Sequence, residues 1–125
     1  MIVFVAGSGL RAVIGGQEAA GLRFIREVRT VPSYRLHVVQ GRFAALVEVA
    51  EGGIAVQGEL CELDDQRLEA ILANEPPGVG QLPVKLEDGT TAPGPVSTSE
   101  TLPPGSKDIS AFGGFAAYWA ARPKE

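Results

Sequence analysis

The chain has few of the residues from which common catalytic and metal sites are built. Its 125 residues include one histidine and one cysteine. A single cysteine excludes an internal disulfide and favours a reducing compartment, so we expect a cytoplasmic protein. These two residues cannot form a zinc site of ordinary ligands, and we expect no metal and no cofactor. A Ser-His-Asp or Cys-His set would need His37, which the alternation in YRLHVV predicts to be a strand-face side chain.

Long apolar runs and excess positive charge are also missing. The opening MIVFVAG is too short for a membrane span and has no basic region before it, so it predicts a first strand and no membrane partner. The net charge of −4 argues against nucleic acid as the main partner. Residues 1–43 nevertheless hold six basic and two acidic side chains. The basic ones frame a small-anion site or form a solvated strand face: Arg11, Arg23, Arg26, Arg29, Arg35 and Arg42.

What is present predicts one α+β domain over residues 1–125, with many short strands and two modest helices. Glycines at 52–53 and Asp88-Gly89 each predict a hairpin turn. One helix is predicted to start near Leu63 and to end before Gly78, and the second to start near Ser110. The strands are predicted at 2–5, 22–31, 34–39, 43–49, 54–60, 82–86 and 91–96.

Two features could carry chemistry. The loop Gly7-Ser8-Gly9-Leu10 follows a buried strand, and its backbone N–H groups could converge on a bound carboxylate or carbonyl. A plain tight turn is the alternative reading of that loop. Glu75 ends the first helix beside prolines, where a raised pKa would suit a general acid or base. An ordinary glutamate at a helix end is the alternative there.

The glycine pair in DISAFGGFAAYWA raises a separate question, because glycine in a helical turn costs about 1 kcal/mol per residue against alanine. We expect Gly113 and Gly114 to let the last helix pack with its backbone close to the sheet, with Phe112, Phe115 and Trp119 around it. The alternative is a bare helix N-terminus that faces a ligand carboxylate.

These stretches together resemble the C-terminal domain of allophanate hydrolase. GLRFIREVRTVPSYRLHVV is similar to its second and third strands, and KDISAFGGFAAYWA is similar to its closing string. The resemblance implies a γ-glutamylcyclotransferase-like fold, a small mixed β-barrel with flanking helices. VFVAGSGL resembles the Tyr-Gly-Ser-Asn-Leu substrate loop of γ-glutamylcyclotransferases, with Ala6 and Gly9 in place of tyrosine and asparagine.

By that resemblance Gly7, Ser8, Gly9 and Leu10 line a pocket for a small carboxylate ligand, and Glu75 is the catalytic proton shuttle. The loop lacks the histidine usual in allophanate hydrolase domains, and the amidase half of that enzyme is absent from these residues. Two functions stay open: a small enzyme acting on a γ-glutamyl or carbamate-like acid, and a non-catalytic binding or assembly module. Two protein partners also stay open, a second copy in a homodimer and an amidase.

Overall fold

A computed structural model describes residues 1–7, 23–39, 43–66, 69, 78–97 and 105–121. Within these residues the chain is mainly β-structure, followed by a 3₁₀ turn (Ser110–Phe112) and a helix, α1 (Phe115–Ala121). The predicted α+β class is therefore confirmed. The described strands are β1 (Ile2–Val5), β2 (Arg23–Arg29), β3 (Tyr34–Val39), β4 (Phe43–Glu48), β5 (Gln57–Glu62), β6 (Val79–Lys85), β7 (Thr91–Ser97) and β8 (Lys107–Asp108).

The described strands pair as two sheets. The three-stranded sheet has the order β1-β5-β2 and is antiparallel throughout. The five-stranded sheet has the order β6-β7-β4-β3-β8. It is mixed, because β4 and β7 run parallel and pair at Leu46 and Val96, whereas its other neighbours are antiparallel.

The two sheets meet where β2 and β6 end. Thr30 and Leu86 form an antiparallel bridge, and the Val31 N–H donates to the Lys85 carbonyl at 3.0 Å. The buried Thr30 hydroxyl also accepts a hydrogen bond from the N–H of Val56 at 2.9 Å. Among the described residues these contacts join two sheets without a continuous ring of paired strands, so the barrel stays a prediction.

The core lies between the sheets, and Phe4 of β1 is among its largest buried side chains. A Cβ built on Gly58 would lie 2.5 Å from the Phe4 ring, and one on Gly94 would lie 3.2 Å from it. The ring therefore packs directly against the backbone of β5 and of β7. The other large side chains buried with it include Tyr34, Leu36, Leu46, Leu86, Ile109 and Phe115.

One predicted hairpin is confirmed and the other is wrong. β6 and β7 pair antiparallel around the Asp88-Gly89 turn, with Gly89 at φ +89°. The strands on either side of Gly52 and Gly53 do not pair: β4 lies between β3 and β7, and β5 lies between β1 and β2. Gly52 instead takes a positive φ of +76°, and Gly53 lies against the Pro32–Ser33 segment, because a Cβ on Gly53 would lie 2.8 Å from the Pro32 carbonyl oxygen.

The last helix begins later than predicted. Gly113 ends the 3₁₀ turn in the left-handed conformation, at φ +79°, and α1 starts at Phe115. A residue with positive φ cannot continue a right-handed helix, so the glycine pair separates two helical segments rather than opening one. Of the helix predicted from Leu63, residues 65, 66 and 69 are helical and most of the remainder lies outside the described residues.

Candidate functional site

Gly7 is the predicted site residue whose surroundings the structure describes. Ser8, Gly9, Leu10 and Glu75 lie outside the described residues. Gly7 is buried directly after β1, and a Cβ built on it would lie 2.7 Å from the Ala44 Cβ and 2.9 Å from the Ala44 nitrogen. A neighbour at that distance leaves no room for a side chain. The backbone therefore lies against β4 at the point where the predicted substrate loop starts.

Ala44 and Ala45 are adjacent residues of β4, and their side chains pack on opposite faces of the sheet. Ala44 packs in the main core, whereas Ala45 packs in a separate cluster with Val39 and Val79, which we call the outer cluster. Val79 is the first residue of β6 and stands four positions after Glu75. Gly7 and Val79 flank the two segments that carry the predicted site residues. Gly7 lies against Ala44, and Val79 shares a cluster with Ala45, so the two flanking residues lie near adjacent residues of β4.

The Asp-Ile-Ser part of the C-terminal string organises the edge of β3. Asp108 accepts hydrogen bonds from the Ser110 N–H at 2.8 Å and from Arg35 Nε at 3.0 Å. Ile109 is buried in the core, and its N–H donates to the Leu36 carbonyl at 2.8 Å. Burial raises the pKa of Asp108, but hydrogen bonds from Ser110 and Arg35 outweigh it and lower that pKa to about 2. The string therefore fastens the C-terminal segment to β3.

No nucleophilic triad forms around His37 within the described part of the chain. His37 lies in β3, as predicted, and its Nε2 is 3.8 Å from the Asp108 carboxylate. Ser110, whose N–H donates to Asp108, is buried, and its hydroxyl accepts a hydrogen bond from the Leu36 N–H at 2.8 Å. That bond commits the hydroxyl to the backbone of β3 rather than to the imidazole.

Gly114 packs as the backbone-close interpretation requires, whereas a Cβ built on Gly113 meets open space among the described residues, and that residue takes a positive φ instead. The Gln57 N–H donates to the Gly113 carbonyl at 3.0 Å, and a Cβ on Gly114 would lie 3.2 Å from both the Cβ and the carbonyl oxygen of Gln57. Phe115 is fully buried, and Trp119 stacks on it at a centroid distance of 5.9 Å. Phe112 departs from the expectation: it is 43% exposed, because it belongs to the 3₁₀ turn and not to the helix face.

The described arginines favour a solvated face over an anion frame. Arg23 pairs with Glu62, Arg26 with Asp88, and Arg35 with Asp108, and these side chains are largely accessible to solvent. Each of these guanidinium groups already has a carboxylate beside it. Arg29 is exposed, and Arg11 and Arg42 lie outside the described residues.

Sequence reasoning overlooked one buried carboxylate. Glu59 of β5 is only 6% exposed, and its cross-strand neighbours are Val5 and Glu27. The alternation in QGELCE places Glu59 on the same strand face as the buried Cys61, and that pattern could have identified it. Among the described residues, no group of three or more histidine, cysteine or acidic side chains could hold a metal ion. No described helix is long and apolar enough to cross a bilayer.

The fold and these motifs define a small mixed-sheet domain whose C-terminal string closes over β3. The chain matches the model of the allophanate hydrolase C-terminal domain over residues 1–120, and it belongs to that family. A comparison with curated proteins finds no match.

Solved structures share the fold. A uropathogenic E. coli-specific protein is 29% identical with a TM-score of 0.80, covering 98% of this chain and 97% of that one. The K. lactis urea amidolyase is 23% identical with a TM-score of 0.80, and the match spans 98% of this chain but 8% of that one. An AIG2-like protein from Mus musculus is 23% identical with a TM-score of 0.55, covering 99% and 84%.

Proposed function

We propose that this protein is a γ-glutamylcyclotransferase-like domain that binds a small acid and acts on a γ-glutamyl or carbamate-related carboxylate. The observation that carries the proposal is the close approach of Gly7 to Ala44. A loop that binds its ligand through backbone N–H groups needs its backbone held by the scaffold and free of side chains. Family membership and the similarity in fold to an AIG2-like protein support the same assignment.

Glu75 is the proposed proton shuttle. In a cyclotransferase reaction the substrate's amine attacks its own γ-carbonyl carbon, so a new C–N bond closes 5-oxoproline and the original amide C–N bond breaks. Glu75 would take the proton from the attacking amine and deliver it to the departing nitrogen, with no net proton consumed. Backbone N–H groups of the Gly7–Leu10 loop would donate to the oxygen that gains negative charge.

The test is turnover of a defined panel, followed by NMR. The panel contains γ-glutamyl amino acids, observed for 5-oxoproline, and ¹³C-labelled allophanate, observed for bicarbonate. We expect product from one class with the wild type and none with Glu75→Gln. Glu69→Gln is the matched control, because Glu69 is an exposed carboxylate of the same predicted helix. Equal turnover by the wild type and Glu75→Gln would refute the assigned role.

A non-catalytic assembly module is the second candidate. It is favoured by the urea amidolyase comparison, in which a domain of this fold makes up a small part of a much longer chain. The present chain would then bind a separate amidase, or pair with a second copy. Mixing it with an allophanate hydrolase amidase that lacks its own C-terminal domain should give a complex by size-exclusion chromatography with light scattering. Two separate, monomeric peaks would exclude both partners.

A further inference from the structure

The solvent-exposed side of α1 consists of alanine. On its inner side the helix packs against the core with the buried Phe115 and the half-buried Trp119. On the opposite side Ala117, Ala120 and Ala121 are exposed, and their spacing of three and four residues places them on one helix face. We call these three residues the alanine face. A helix at a protein surface normally presents charged or polar side chains to water, so this face is unusual.

Phe112 extends the alanine face at one end. Its side chain is 43% exposed, and its ring packs edge to face against Tyr118 at a centroid distance of 5.6 Å. A tyrosine side chain in a helix leans toward the helix N-terminus, so this contact places Phe112 beside the first half of α1. Ala120 and Ala121 form its last turn. Phe112 and the alanine face together make an apolar strip with a projecting ring at one end and methyl groups at the other.

The charge distribution favours a second copy of this chain as the partner of the apolar strip. The whole chain has a net charge of −4, but residues 109–121 include no charged side chain. Two copies of a charged protein repel each other, and an uncharged surface lets them meet without placing like charges in contact. A strongly charged partner would lose the hydration of its charges at the apolar strip and would gain no ion pair there.

The apolar strip is also complementary to itself in shape. In a two-fold dimer the same surface of both copies meets, and with the two helices antiparallel the projecting Phe112 of each copy lies over the alanine end of the other. Alanine side chains let the helix axes approach to about 8 Å. The helix is only about 10 Å long, whereas a standard interface buries about 800 Å² on each partner. The apolar strip would therefore form the centre of a weak dimer interface.

We propose that the apolar strip is the contact surface of a homodimer in which the two α1 helices pack antiparallel. The inference names a surface for the pairing with a second copy that the second candidate function includes. It does not rest on the catalytic proposal, because it uses no residue of the predicted substrate loop and not Glu75. Its test involves no substrate, so failure of the dimer and failure of the catalytic proposal are observed separately.

The test is the mass of the protein in solution, measured by size-exclusion chromatography with light scattering at concentrations up to the millimolar range. We expect the wild type to approach twice its chain mass of 13.1 kDa as the concentration rises. Ala117→Glu and Ala117→Lys each bring like charges together across the two-fold contact and should stay monomeric. Both residues are good helix formers, so α1 should persist, which circular dichroism checks. An equal mixture of the two variants should recover a dimer, because opposite charges then meet.

Leu82→Glu is the matched control for the added negative charge. Leu82 is also an exposed apolar side chain, 40% accessible, and it lies in β6 at the edge of the five-stranded sheet opposite β8. This variant should dimerise as the wild type does. Phe112→Ala should raise the dissociation constant about tenfold or more, because it removes the aromatic ring that covers the alanine end of the other copy.

Three results would overturn the proposal. The first is a wild type that stays at 13.1 kDa at millimolar concentration. The second is a dimer that Ala117→Glu leaves intact or that Leu82→Glu abolishes, because the contact would then lie elsewhere. The third is a monomeric wild type whose complex with an amidase is lost in Ala117→Glu, which would assign the apolar strip to that partner.

Discussion

Replacement of Gly113 by alanine tests whether this residue lies in the first turn of a helix or in a left-handed conformation between two helical segments. The two possibilities predict stability changes of opposite sign. If Gly113 lay in the first turn of a helix, alanine would stabilise the protein by about 1 kcal/mol. The structure places Gly113 at φ +79°, with no atom of the described residues within 4 Å of a built Cβ. Backbone strain is therefore the sole effect of the methyl group on the folded state, and it costs about 1–2 kcal/mol for an L-residue other than glycine or asparagine.

The magnitude can be checked by thermal unfolding. For 125 residues, an unfolding entropy of about 0.26 kcal/mol/K converts 1 kcal/mol into a change in Tm of about 4 °C. We expect Gly113→Ala to lower Tm by about 4–8 °C, and Gly113→Asn to lower it less, because asparagine adopts the left-handed conformation more readily. A higher Tm for Gly113→Ala, measured by calorimetry or circular dichroism, would refute the separation of the string into two helical segments.

Three further predictions concern stability. Folding lowers the pKa of Asp108 from 3.8 to about 2, so this carboxylate binds protons more weakly in the folded protein than in the unfolded chain. The free energy of unfolding should therefore fall as the pH drops from about 4 to 2. Asp108→Asn should weaken that dependence in pH-resolved denaturant unfolding; an unchanged slope would contradict it. Ser110→Ala leaves the buried Leu36 N–H without its acceptor and should cost about 1–3 kcal/mol in urea unfolding, with Ser110→Thr as the control. Gly58→Ala places a methyl against the buried Phe4 ring and should cost about 1–3 kcal/mol or more, and a neutral effect would refute that packing.

Most strands could be predicted from local patterns, but their partners could not. Tyr34–Val39 ends as predicted, and buried and half-buried side chains alternate from Tyr34 to Val38. The glycines at 52 and 53 gave a hairpin signal of the right type, yet β4 pairs with β3 and β7, and β5 pairs with β1 and β2. Pairing depends on contacts between segments far apart in the sequence, and periodicity within one segment does not contain that information.

In the candidate site, too, local features could be predicted from the sequence, whereas contacts between distant segments could not. The glycine loop was predicted to cradle a bound oxygen with its backbone N–H groups, and of its residues the structure describes Gly7, which lies against β4. The pocket itself stays a prediction. The Asp-Ile-Ser string carried the family resemblance, but nothing in its composition indicated that Asp108 and Ser110 bond to β3 from over 70 residues away. Glu59 escaped notice because a buried carboxylate is uncommon, and a single glutamate in an apolar strand is easily assigned to the solvent face.

The most direct test of the proposed site is a titration of the ¹⁵N-labelled protein with a γ-glutamyl dipeptide, followed by amide spectra. The account predicts saturable shifts of the Gly7, Ser8 and Gly9 amides, because their N–H groups are the proposed donors to the ligand. Glu75→Gln should retain these shifts while abolishing turnover. Saturable shifts confined to the arginine-bearing strand β2, or no shifts at millimolar dipeptide, would contradict a small-acid site at the start of this loop.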